Sequence, residues 1–234
     1  MDIVQRAGRS SNGHRELVRS AGAMFFDFDN TVTPMDVLDD VIRQFATNET
    51  WIPLQKSWEA GIIGSKQCLV GQLRSVRVSP AVLTRYLSEV PLDLYFKPLV
   101  ALLKEWGVQP VIVSDNFSSI VNRILHRHGV EHLPVYANRV RLIRDRLIPL
   151  FPFARTGCTR GCAHCKRQHL MRRKTRTHPV VYVGDGLSDL CPADVADLVF
   201  AKGALLRHCR RTGRPCVAFD TLKDVYNFVK ERTR

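Results

Sequence analysis

An apolar run that ends in two aspartates, FFDFDNTVT over residues 25–33, constrains this chain more than any other segment. Asp27 and Asp29 are two positions apart, and side chains at i and i+2 of an extended backbone lie on one side. Both carboxylates can therefore be aimed at one point, with Thr31 two residues further on. Neighbouring carboxylates repel each other and resist losing their water. A chain keeps such a pair where a cation sits between them or where they carry out chemistry. A strand running into an acidic turn, a setting that favours Asp and Asn, would use the same residues for neither purpose.

Two further runs share the design. Pro-Val-Ile-Val-Ser (110–114) and Pro-Val-Val-Tyr-Val-Gly (179–184) are β-branched, open on a proline and close on a small residue. With residues 23–28 as the first strand, they read as buried strands of a parallel sheet, each followed by a helix. Open α/β sheets bind ligands beyond the carboxyl ends of their strands. Asp27 and Asp29, then Ser114, then Asp185 and Asp189 of VVYVGDGLSDL would meet at that edge, with Lys166 arriving from a nearby loop or helix start. Carboxylates that collect an oxygen-loving cation, beside a hydroxyl and an ammonium that donate hydrogen bonds, suit a phosphate group.

Between the first two strands the apolar spacing is helical: residues 36–48, 51–61, 65–76, 79–90 and 96–107, with Ser65, Ser79 and Gly107 as caps. The last of these feeds the second strand. The rest form a small helical insert. Residues 118–129 read as a helix, 135–153 as a hairpin or irregular strands, 162–174 as helical, 197–201 and 215–219 as short strands, and 221–232 as a closing helix. The expected organisation is a polar N-terminal tail (1–22), a Rossmann-like α/β core (23–35 and 93–234) and the helical insert (36–92).

With 45% hydrophobic and 24% charged residues, the composition is that of a globular protein. No segment approaches the ~18 apolar residues of a bilayer span, so no membrane is expected, and residues 1–20 lack the apolar centre of a secretory signal. Seven cysteines, an odd number, argue for reduced thiols and a cytoplasmic setting. The net charge of +13 is concentrated between Arg139 and Arg176, where twelve Lys and Arg face the single Asp145. Such a stretch could contact nucleic acid. Only Phe151 and Phe153 offer stacking rings there, so a solvated basic face that steers anionic substrates fits better.

The ordered set Asp27-Phe28-Asp29-Asn30-Thr31, Ser114, Lys166 and Gly184-Asp185-Gly186-Leu187-Ser188-Asp189 resembles the four motifs of the haloacid dehalogenase (HAD) superfamily. The resemblance spans residues 23–231 and is closest to phosphatases related to phosphoserine phosphatase, including the methionine-salvage phosphatases, in which a Cys-rich stretch also ends in Cys-Lys, as Cys165-Lys166 does here. It implies a phosphatase acting on a small phosphorylated metabolite, with the helical insert as a cap over the site. Asp27 would be the nucleophile and Asp29 the general acid and base. Mg²⁺ would be held by Asp27, the backbone carbonyl of Asp29 and Asp185, with Asp189 orienting the metal site through water or Lys166. Asp189 could equally be a helix-start carboxylate facing the dipole. Ser114 and Lys166 would bind phosphoryl oxygens.

For the substrate's remainder the candidates are Asp36, Asp115 and Asn116. Asp36 stands where phosphoserine phosphatases hold the substrate amino group with a Glu, although an N-terminal helix residue is an equal reading. Gln72 falls where those enzymes carry an Arg, and Ser114-Asp115-Asn116 replaces a Ser followed by two glycines. Both departures weigh against phosphoserine. Cys158, Cys162 and Cys165, with His164 or His169, could form a structural zinc site; reduced thiols in a tight loop that positions Lys166 are the alternative. A phosphomutase or phosphotransferase would use the same residues. A non-catalytic nucleic-acid-binding protein on this fold would use the basic stretch instead.

Overall fold

The computed structural model describes residues 3–4 and 11–231. The chain opens with β1 (Ile3–Val4), α1 (Ser11–Arg19) and β2 (Ala23–Phe26). Helices α2 (Val37–Phe45), α3 (Trp51–Glu59), α4 (Ser65–Gln72) and α5 (Pro80–Glu89) follow, and α6 (Phe96–Glu105) leads into β3 (Gln109–Phe117). Next come α7 (Ser118–Arg127), the hairpin β4 (Val135–Ile143) and β5 (Arg146–Leu150), α8 (Lys166–Arg173) and β6 (Val180–Gly184). A 3-10 turn over Leu187–Asp189 runs into α9 (Leu190–Ala193), followed by β7 (Leu198–Ala201), α10 (Gly203–Thr212), β8 (Cys216–Ala218) and α11 (Leu222–Lys230).

These strands form one eight-stranded sheet in the order β1-β8-β7-β6-β2-β3-β4-β5. From β8 to β4 all neighbours are parallel, while β1 and β5 close the two edges antiparallel. Every residue of β2 and β6 is buried, as expected of parallel strands covered by helices on both faces. Alternate residues feed two cores. Met24, Phe26, Ile112 and Val183 pack with Val41, Ile42, Leu69 and Leu73 of the insert. Phe25, Val111, Val113 and Tyr182 pack with Leu170 and Leu205 on the other face. After β2 the chain crosses to β3 on one side, and it later returns as β6 on the other. The crevice beyond β2 is therefore the switch point where α/β sheets take ligands.

The first strand stops at Phe26 because the backbone then curls. The N–H groups of Thr31, Val32 and Thr33 all donate to Phe28 O, and Asn30 sits at φ 54°. The second strand runs past Ser114 to Phe117, with a register shift between those residues. Ser79 caps α5 as its sequence suggested, accepting from Val82 N at 3.3 Å ahead of Pro80. Ser65 does not cap: Gly64 holds that position. The helix expected over 162–174 begins only at Lys166, because Cys165 N–H donates to Phe153 O at 3.0 Å and Ala163 N–H to Ser65 Oγ at 2.8 Å. Helix α10 went unread since its apolar stripe is only Leu205 and Cys209 among basic residues.

Of the N-terminal segment, residues 1, 2 and 5–10 lie outside the described residues, whereas α1 buries Leu17 and Val18 against the core. No helix among the described residues is long and apolar enough to cross a membrane.

Candidate active site

Beyond the carboxyl ends of β2, β3 and β6 opens a cavity of about 530 Å³ whose walls include Asp27, Asp29, Asp115, Lys166 and Asp185. Asp27 follows β2 directly, fixed by its N–H to Val183 O at 2.9 Å. Lys166, the first residue of α8, is 2% exposed. Its Nζ donates to Asp27 Oδ1 at 2.6 Å, Asp189 Oδ1 at 2.8 Å and Ser188 Oγ at 2.9 Å, so all three protons of the ammonium are placed. Burial works against that charge, but Asp189 and Asp27 outweigh it and hold the lysine well above its usual range.

Asp189 is saturated. Its Oδ1 also accepts from Tyr182 OH at 2.6 Å, and its Oδ2 accepts the N–H groups of Asp185 at 2.8 Å and Gly186 at 2.9 Å. Against the burial that opposes ionisation, Lys166 and these donors keep its carboxyl below the ordinary range. The approach depends on Gly184, where an added Cβ would stand 2.4 Å from Asp189 Oδ2 and 2.8 Å from Tyr182. Gly184→Ala is expected to lower stability by about 1–3 kcal/mol and to displace Asp189; a melting curve indistinguishable from that of the parent would refute this.

Oxygens of Asp27, Asp185 and Asp189 come within 4.8 Å of one another. Burial first, and Asp189 second, raise the Asp185 carboxyl to about 7; Thr31 Oγ1 donates to it at 3.4 Å. Burial also raises Asp27, despite Lys166. An all-oxygen, anionic donor set of this kind fits a hard divalent cation such as Mg²⁺.

Asp29 is held from both sides. Val37 N–H donates to its Oδ1 at 2.9 Å, and the Asn116 amide reaches its two oxygens at 3.0 and 3.1 Å. Burial and Asp36 nonetheless raise its carboxyl well above the usual range, so it can carry a proton. Ser114 is fully buried: its Oγ lies 3.5 Å from Asp29 Oδ2 and accepts Asn116 N–H at 3.0 Å. Asn116, expected to face substrate, lines the cavity and gives its amide to Asp29. Asp36 caps α2 through Asp39 N–H at 2.8 Å while also lining the cavity. Asp115 lines it too, with Oδ2 accepting from Ser65 at 2.9 Å and a buried Oδ1 that has no partner.

Sequence reasoning missed Tyr182, Ser65 and the amide network of the insert. In that network Gln72 donates to Gln55 at 2.9 Å, and Gln55 donates to Glu59 at 3.0 Å and Asp39 at 3.3 Å. Gln55, Gln72, Asp39 and Glu59 all line the cavity, with Trp58 and Leu69. Helical spacing placed these residues on α2–α4, but nothing local to them signalled a shared pocket.

The zinc expectation finds no support. Cys158, Cys162 and Cys165 join no cluster of three ligand atoms among the described residues. The Cys162 thiol meets those of Cys191 and Cys158, and Cys158 also takes the N–H groups of Cys162, Arg160 and Gly161. The imidazoles bind each other, His164 Nε2 to His169 Nε2 at 2.9 Å. Burial pushes His164 down to about 2 and His169 down to about 4.

Both histidines thus stay neutral in the fold while unfolded histidine protonates near 6.5. Their contribution is complete above that pH and is lost as pH falls from about 6.5 towards about 4. Between pH 6.5 and 4.5 the parent should lose roughly 4 kcal/mol more stability than His164→Phe/His169→Phe in urea unfolding, about 2 for each histidine. The buried carboxylates, common to both proteins, cancel in this difference, and parallel pH profiles would contradict it.

A family described as "Putative Phosphatase" matches residues 23–203. The 2-hydroxy-3-keto-5-methylthiopentenyl-1-phosphate phosphatase of Geobacillus kaustophilus is 31% identical over 207 residues, covering 86% of this chain and 92% of its own. The protein of the same name from Brevibacillus brevis is 27% identical over 216 residues, covering 89% and 95%. A solved structure titled "Phospho-Aspartyl Intermediate Analogue of Phosphoserine phosphatase" superposes with a TM-score of 0.70 at 19% identity, over 90% of this chain and all of that one, and shares the fold. The chain belongs to this phosphatase family, a phosphoserine-phosphatase-like branch of the HAD superfamily, and is a phosphoric monoester hydrolase.

Proposed function

We propose that the protein hydrolyses the phosphate ester of a small metabolite through a phosphoryl group carried on Asp27. The observation that carries this reading is the Lys166 ammonium, fixed between Asp27 and Asp189 at 2.6 and 2.8 Å on the wall of an acidic cavity. Asp27 attacks phosphorus with the oxygen not committed to Lys166. Asp29, whose carboxyl burial and Asp36 raise well above the ordinary range, gives its proton to the departing alkoxide. The carboxylate so formed then takes a proton from the water that attacks the phosphoryl group, releasing phosphate and restoring Asp27. Asn116 and Val37 N–H keep Asp29 aimed throughout. Lys166 turns the proton it gives Ser188 Oγ to a phosphoryl oxygen, and Ser114 donates its hydroxyl to another.

Asp27, Asp185 and the Asp29 carbonyl would hold Mg²⁺, which when bound offsets the repulsion between phosphate and carboxylates. Asp189 has its oxygens occupied and serves to position Lys166 and the loop of Asp185. The helices over residues 36–92 act as the cap, and a cytoplasmic setting suits seven unpaired thiols.

The leaving group is a hydroxylated or ammonium-bearing alcohol. Asp36, Asp39, Glu59 and the unpartnered Asp115 Oδ1 face it, and Lys166 is already engaged. Burial, with Asp36 next, lifts Asp39 to about 7, so a cationic or donor-rich ligand relieves that wall. The named substrate of the Geobacillus and Brevibacillus relatives, an enol phosphate with a hydroxyl and a keto group, is within this class.

The test is phosphate release with Mg²⁺ across a panel of phosphorylated metabolites, with mass analysis of an Asp29→Asn variant quenched during turnover. Esters of amino alcohols and polyols should exceed esters of hydroxy acids, and one phosphoryl group should appear on the peptide containing Asp27. Turnover without any such adduct would refute the covalent route.

A further inference from the structure

We propose that the outward face of the β4–β5 hairpin docks on a bilayer surface that carries anionic lipid. The register sets Arg139 opposite Leu150, Arg141 opposite Ile148 and Ile143 opposite Arg146. All six side chains are exposed, while the alternate residues Val140, Leu142 and Leu147 turn in to the core. Arginines and aliphatics are thus interleaved on one flat face, with Ile143 55%, Ile148 41% and Leu150 39% exposed. Arg144 adds a further charge at the turn, at φ 57°. None of these residues lines the catalytic cavity, so the phosphatase chemistry leaves the face unexplained.

Charge decides the occupant. A second copy packed face to face would bring one set of these arginines up to another with no acidic side chain on the face to offset them. Addition of a foreign strand to the β5 edge is obstructed by Pro149, which has no N–H to offer. A lipid surface needs neither shape matching nor backbone pairing. It takes aliphatic side chains into its headgroup boundary and draws arginine to anionic headgroups.

Sedimentation of the full chain with vesicles tests this. Binding is expected to vesicles of phosphatidylcholine mixed with phosphatidylserine and not to phosphatidylcholine alone. Arg139→Gln/Arg141→Gln should weaken binding about fivefold per charge removed. Ile143→Ser/Ile148→Ser should weaken it at unchanged charge. Arg210→Gln/Arg211→Gln, a charge-matched change on α10 at the far end of the sheet, should leave it intact. Hydrolysis of a soluble aryl phosphate should be unchanged in every variant, showing that each is folded. No binding to mixed vesicles, an equal loss in the α10 variant, or indifference to the isoleucine changes would each overturn the proposal. So would capture of an acidic protein through the hairpin by a chain that ignores vesicles.

Discussion

Turnover is expected to fall by at least about 10⁴-fold on replacing Asp27 with Asn, with the fold intact. The amide keeps the size of the carboxylate and can still accept from Lys166 Nζ, now 2.6 Å from Oδ1. It is a far weaker nucleophile, and it removes one negative charge from a cavity already crowded with Asp29, Asp185 and Asp189. Ester affinity should therefore be kept or improved while the rate collapses, and no phosphoryl adduct should form. Steady-state rates and intact mass of the quenched variant read both effects. An Asp27→Asn protein within about tenfold of the parent would remove Asp27 from the chemistry.

The second large effect falls on stability as well as rate. Lys166→Met removes a buried cation from between Asp27 and Asp189 and leaves two carboxylates without their counter-charge. Breaking such a buried pair from one side costs about 3–5 kcal/mol. Asp189 is the more affected, since it is fully buried and its ionisation rests on the ammonium. Adding Asp189→Asn to Lys166→Met should recover part of the lost stability but none of the activity. Chemical unfolding of the single and double variants decides this. Additive losses would mean that the two side chains stabilise the fold independently.

What was legible in the sequence is whatever depends on short-range order. Short unbroken apolar runs closed by a small or acidic residue located β2, β3 and β6, because strands covered on both faces are apolar throughout, and 3.6-residue spacing located α2–α5. Strand ends in a parallel sheet share one edge, so Asp27, Asp29, Ser114 and Asp185 could be expected to meet before any coordinates were known.

Partner choice across the fold was not legible. Tyr182 reaches Asp189 because both flank Gly184, and Asn116 is drawn to Asp29 by the register shift that follows Ser114 in β3. The cysteines show the same limit. Their spacing is compatible with a metal site, but thiol direction depends on where Cys191 lies, nearly thirty residues onward.

The contact between α4 and the loop before Lys166 has a kinetic consequence. Lys66 N–H donates to Gly161 O at 3.1 Å, Ser65 Oγ ties Ala163 N–H to the Asp115 carboxylate, and Gly64 passes so near Gly161 that a Cβ would lie 2.3 Å from its carbonyl oxygen. With these helices acting as the proposed cap, a swing that admits or releases a metabolite would unfasten the strap that steadies the ammonium. An open chamber would then be a disarmed one, with turnover confined to the shut state.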